Sequence, residues 1–180
     1  MNFIMMGYRA CGKTTVGRIM AKKLQRPFFD TDHLVQERTG KTIREIVETR
    51  GWEAFREMER IVIGELAGLD GYIIALGGGA VLDQRNVEIL KRKGFFFWLS
   101  ADEGSIGKRL LKDQASDAQR PPLSGTDTSA EIPSVLQARE EVYRQLADRI
   151  VDTSQRTVEE IAAEIYDFLK IRNEEKARGS

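Results

Sequence analysis

The 180 residues, 41% apolar and 31% charged, suit one globular domain with a single sizeable core. Basic and acidic residues cancel, 28 against 28, so no net field draws the chain to nucleic acid or to anionic lipid. A single cysteine excludes an internal disulfide and a cysteine-based zinc cluster, and no apolar run approaches the ~20 residues of a bilayer span.

Phe3-Ile4-Met5-Met6 is an apolar run of buried-strand length, and Val16, Ile19, Met20 and Leu24 follow at helical spacing. Between them stands Gly7-Tyr8-Arg9-Ala10-Cys11-Gly12-Lys13-Thr14, then Thr15, which reads G-x-x-x-x-G-K-[ST]. Gly7 and Gly12 permit backbone angles that side chains forbid, so successive N–H groups around Ala10, Cys11 and Gly12 converge on an anion. The helix that follows adds its unpaired N–H groups and positive dipole end. Lys13 then reaches the β- and γ-phosphates, and the Thr14 hydroxyl ligates Mg²⁺. The loop is expected to bind a nucleoside triphosphate. With strand and loop placed at the start, nothing N-terminal reads as a secretory signal, and a cytoplasmic location is expected.

The next strand, Pro27–Asp30, ends in Asp30-Thr31-Asp32. One carboxylate there can hold the Mg²⁺ hydration shell while the other meets an acceptor hydroxyl. A helix cap is the plainer use of such a pair, and its place at a strand end beside the nucleotide favours the chemical one. His33 reads as helix surface. Thr42 with Glu45 forms a capping box for a helix carrying Trp52, Phe55, Met58 and Val62 on one stripe. Arg56 and Glu59 are neighbours on that helix: a surface ion pair, or an arginine aimed at a substrate anion. Spacing does not choose between them.

Tyr72–Leu76 is a third strand, and Gly77-Gly78-Gly79 follows it, either a flexible turn or a place where something approaches the backbone closely. Phe95–Leu99 and Arg149–Asp152 supply two more strands. Residues 112–128 are polar and broken by Pro121, Pro122 and Gly125, long for a connection, and Arg120 stands at the proline pair; a lid that excludes water is expected. Thr157 and Glu160 make a second capping box, before a last apolar stripe of Val158, Ile161, Ala162, Ile165, Phe168 and Leu169. One domain over 1–171 is expected, with a frayed tail over 172–180. Five strands alternating with helices predict a three-layer α/β/α sandwich with a parallel sheet, its ligands at the strand carboxyl ends. No apolar helix face stands unpartnered, so a monomer is expected.

The set Gly7–Thr15, Asp30-Thr31-Asp32, Phe55-Arg56-x-x-Glu59, Gly77-Gly78-Gly79-Ala80, Arg120-Pro121 and Arg139 resembles the shikimate kinases over nearly all of residues 2–170. That resemblance implies the nucleoside-monophosphate-kinase type of phosphate-loop fold. It also implies transfer of the ATP γ-phosphate to the 3-hydroxyl of shikimate, with Mg²⁺, in aromatic amino acid biosynthesis. Carried over residue by residue, Lys13 and Thr14 match the phosphate and metal ligands and Asp30 the carboxylate at the metal waters. Asp32 matches the group at the shikimate hydroxyls. Arg56 and Arg139 match the grip on the shikimate carboxylate, with Glu59 orienting Arg56, and Gly78 and Gly79 match the backbone contacts to the ring. Arg120 matches the lid arginine at the transferring phosphate, and Arg109 and Arg156 match positions near adenine. The chain departs from many members in having two prolines after Arg120. Other small-molecule kinases of this fold and a nucleotide switch are the rival readings; no guanine-reading Asn-Lys-x-Asp occurs.

Overall fold

Five short strands pair in parallel in the order β2-β3-β1-β4-β5, the central β1, β3 and most of β4 being buried on both faces. They are β1 (Asn2–Met6), β2 (Phe28–Asp30), β3 (Ile73–Ala75), β4 (Gly94–Ser100) and β5 (Arg149–Asp152), within a residue or two of the predicted runs. The computed structural model describes residues 1–112, 121 and 128–178, and the side chains of 128, 129 and 176 lie outside that description. The lid expected over 112–128 falls almost wholly beyond it, as does Arg120.

The helices are α1 (Lys13–Leu24), α2 (Thr31–Thr39), α3 (Ile43–Ala67), α4 (Gln84–Lys91), α5 (Glu103–Lys112), α6 (Thr128–Leu146) and α7 (Val158–Arg178). Alternation along β1 sorts them into two layers. Phe3 and Met5 pack with Val16 and Met20 of α1 and Ile161 and Ile165 of α7. Ile4 and Met6 face the other way, against Ile46 and Val62 of α3, Leu90 of α4 and Tyr143 of α6. Each such side chain taken fully out of water contributes roughly 1.5–3 kcal/mol before entropy is counted. The three-layer sandwich with a five-stranded parallel sheet is therefore as the alternation of strand and helix predicts.

Both capping boxes form: Thr42 and Glu45 exchange their hydrogen bonds at the start of α3, and Thr157 and Glu160 do so at α7. α7 continues as helix to Arg178, and Arg172, within the expected fray, lays its guanidinium 4.0 Å from the Phe95 ring centroid. That cation–π contact gives the extra turns something to hold. Among the described residues no helix is long and apolar enough to cross a membrane.

Sheet order is what places the site. β1 and β3 are neighbours, Met5 beside Ala75, and β3 and β2 are neighbours, Asp30 beside Ala75. The loops leaving the carboxyl ends of β1, β3 and β2 are the phosphate loop, the triple glycine and the acidic pair. Three motifs separated by tens of residues thus emerge side by side.

Candidate active site

The phosphate loop is shaped by backbone angles. Gly7 (φ 141) and Gly12 (φ 95) are positive, and so is Ala10 (φ 59), a conformation few alanines adopt. A Cβ on Gly7 would overlap the Leu99 carbonyl oxygen of β4, so glycine there answers both the angle and the space. Lys13 folds over the loop, its Nζ donating to the carbonyls of Gly7 at 3.0 Å and Tyr8 at 2.7 Å. Cys11 is buried, as a small inward side chain should be. The cleft beside the loop is bordered by Ala10 to Thr15, Asp30, Asp32, Arg109 and Arg156. Arg109 donates to the Ala10 carbonyl at 3.3 Å and the Thr153 hydroxyl at 3.0 Å, and Arg156 is held by Glu164 at 2.7 Å.

Asp30 uses its two carboxylate oxygens differently. Its Oδ1 accepts from the backbone N–H groups of Asp32 at 3.1 Å and His33 at 3.3 Å, starting α2. Its Oδ2 is left to the Thr14 hydroxyl, which donates to it at 2.5 Å. A hydroxyl and a carboxylate oxygen facing each other beside a phosphate site are hard-oxygen donors of the kind Mg²⁺ takes, the remaining positions going to water and phosphate. The described residues contain no cluster of three or more metal-ligating side chains.

The second cleft lies across Asp32. It is bordered by Tyr8, Arg9, Asp32, Ile43, Trp52, Phe55, Arg56, Gly78, Gly79 and Arg139. α3 can present Ile43 and Trp52 to one hollow because Gly51 (φ 80, ψ 168) breaks its helical path between them. Trp52 is only partly buried, its ring centroid 5.5 Å from the Arg56 guanidinium. Trp98 is a core residue, and His33 lies on the surface near Glu37. Among the described residues, Asp32 is the only one that borders both clefts.

The Arg56–Glu59 pair is no surface ornament. Glu59 is fully buried, its Oε2 2.6 Å from Arg56 Nη1, and its Oε1 has no hydrogen-bond partner among the described residues. Burial pushes the Glu59 carboxyl up to about 7, with Arg56 opposing and the charge of Asp32 adding to the rise. A carboxyl with a folded pKa above its unfolded one holds more protons folded than unfolded. Its contribution to stability is complete below its ordinary 4.5 and is lost as pH rises through about 7. Glu59→Gln has no such loss, so in shikimate-free melts its Tm relative to wild type is expected to climb between about pH 5 and 7.5. Parallel Tm curves for the two proteins across that range would remove Glu59 from this role.

On the opposite wall, Arg139 Nη1 donates to the Gly78 carbonyl at 3.0 Å and the Tyr143 hydroxyl donates to the same oxygen at 2.5 Å. The Gly77 N–H donates to the buried Thr31 hydroxyl at 2.9 Å. A Cβ on Gly77 would strike Asp32 and Glu59, and one on Gly79 would strike the Arg56 guanidinium. Close approach, and not flexibility, is what the triple glycine serves. Sequence reasoning passed over Thr31 and Tyr143. Tyr143, one turn beyond Arg139 on α6, shares its face and was within reach of a spacing argument.

A phosphate loop on β1 of this sheet, with an arginine-lined cleft one carboxylate away, defines a phosphate-loop kinase of the nucleoside-monophosphate-kinase type. The family model for shikimate kinase matches residues 9–170. The chain is 47% identical to the shikimate kinase of Syntrophus aciditrophicus over 91% of its own length and 88% of that protein's. It is 39% identical to the shikimate kinase of Symbiobacterium thermophilum over 97% and 99%. Among solved structures, shikimate kinase from Acinetobacter baumannii in complex with shikimate superposes with a TM-score of 0.87 at 32% identity, covering 95% of this chain and 93% of that one. The chain belongs to the shikimate kinase family.

Proposed function

We propose that this protein transfers the γ-phosphate of ATP to the 3-hydroxyl of shikimate, releasing shikimate 3-phosphate and ADP. The observation that carries the reading is Asp32, which borders the nucleotide cleft and the arginine-lined cleft at once. Phosphoryl transfer asks for in-line positioning and charge stabilisation more than for covalent chemistry. Arg56 and Arg139 hold the acceptor's carboxylate from two walls, and the N–H groups and carbonyls of Gly78 and Gly79 meet the ring substituents. Asp32 orients the attacking hydroxyl and takes its proton late in the transfer. The loop N–H groups of Gly7 and Ala10 to Thr15 cradle the phosphates, and Lys13 leaves the loop carbonyls for the β- and γ-oxygens. Thr14 and Asp30 would hold Mg²⁺, which when bound neutralises charge on the phosphate oxygens. Arg109 and Arg156 flank the nucleotide's base, and Arg120 meets the transferring phosphate from a lid over 112–128.

The remaining parts of the reading are a single domain over 1–171, a monomer, a cytoplasmic location, and no nucleic acid or membrane partner. ADP release from ATP is expected to depend on shikimate and to stay at background with gluconate or nucleoside monophosphates. Equal turnover on gluconate would place the protein with another kinase of this fold; ADP release indifferent to every acceptor would make it a nucleotide switch.

A further inference from the structure

Arg9 fills one of the four variable positions of the phosphate-loop signature, where a side chain need only stay clear of the phosphates. It does more than that here. Arg9 is 9% exposed, it lines the acceptor cleft with Arg56 and Arg139, and its Nη2 lies 3.1 Å from Glu131 Oε1. Glu131, 122 residues away on the first turn of α6, has a side chain only 1% exposed.

The Arg56–Glu59 pair has the same build: an arginine bordering the cleft, and behind it a glutamate whose side chain is 1% exposed and does not border it. Two charges sunk together recover little beyond their desolvation, so packing alone does not call for either pair. What the two glutamates have in common is that each fixes a guanidinium at the wall of one hollow. Among the described residues, three guanidiniums and a single carboxylate, Asp32, then border that hollow. A wall so biased selects an anion. Arg9 also approaches from the segment that cradles the phosphates. The Arg9 backbone nitrogen and the Arg139 guanidinium both come within 3.6 Å of the point where a Cβ on Gly78 would stand. One loop therefore borders both clefts.

We infer that Arg9 is a third guanidinium reading the negative charge of the acceptor, positioned by Glu131 as Arg56 is by Glu59. It favours a carboxylate-bearing ring over a neutral one of the same shape. The inference rests on the acceptor cleft proposed above, and the test separates the two. Wild type, Arg9→Met, Arg9→Lys and Glu131→Gln are titrated calorimetrically with shikimate, with its uncharged methyl ester, and with ADP.

Arg9→Met is expected to weaken shikimate about 10- to 30-fold, the ester less than about threefold, and ADP less than about twofold. Its preference for acid over ester therefore shrinks. Arg9→Lys keeps part of that preference, because a point charge replaces the fork. Glu131→Gln reduces the preference by a smaller factor. If Arg9→Met weakened acid and ester equally, or weakened ADP as well, Arg9 would be a strut of the loop and the inference would fall. Should the methionine variant melt below the working temperature, the lysine and Glu131→Gln proteins report the same ratio. A wild type that binds neither ring compound overturns the cleft assignment itself, a different result from an unchanged ratio.

Discussion

Asp32→Asn is expected to cut kcat by about 10²- to 10⁴-fold while moving the shikimate KM only a few-fold. The reason is position. The residue stands at the one described point where the two clefts meet, 7% exposed, with its carboxylate close to Glu59 across the gap that Gly77 leaves open. Asparagine keeps the shape and much of the hydrogen bonding to an acceptor hydroxyl, so the ring still binds. It cannot take the hydroxyl's proton, and that loss is confined to the transition state. A second signature is independent of turnover. The charge of Asp32 helps hold the Glu59 carboxyl up at about 7, so removing it is expected to shift the Glu59 titration downwards. Melts of Asp32→Asn against pH would show the Glu59-linked loss of stability starting from the same ordinary 4.5 but ending at lower pH, and totalling less, than in wild type. An unchanged kcat would move the proton acceptor elsewhere. An unshifted titration would mean that the two carboxylates do not sense each other.

How much of this site could be read from the chain depended on the range of the interactions. Lys13, Thr14 and the loop glycines are legible because the phosphate cradle is built within nine consecutive residues. Asp30 is legible for the same reason, since a strand end and a helix cap are local signals, and its two oxygens divide between the cap and the Thr14 hydroxyl. The acceptor cleft resisted. That Glu59 is buried, which decides between surface ion pair and aimed arginine, follows from where α3 packs and not from its spacing to Arg56. The order β2-β3-β1-β4-β5, which brings the triple glycine beside the phosphate loop, leaves no mark in any single strand. Glu131 reaches Arg9 across 122 residues, and no periodicity links them.

Gly79→Ala is expected to raise the shikimate KM about 30- to 100-fold and leave the ATP KM within about twofold, the size of losing a charge-assisted grip. Gly79 has φ −104, open to any residue, so alanine meets no backbone penalty there. Its conflict is with the Arg56 guanidinium, the far end of a flexible side chain. The fold can therefore survive by letting that guanidinium go. What is lost is the 2.6 Å pairing with Glu59 and the arginine's aim into the cleft. Glu59, stripped of its partner, would retain its proton to still higher pH, since a buried lone carboxylate is costly. Arg56→Ala alone is expected to match the KM rise, because both changes empty the same place. The double variant is then decisive: with no guanidinium to strike, the added methyl costs nothing further, and the two effects do not add. If Gly79→Ala and Arg56→Ala multiplied their effects on KM, the added methyl would be blocking the substrate itself, and displacement of the arginine would not be the cause.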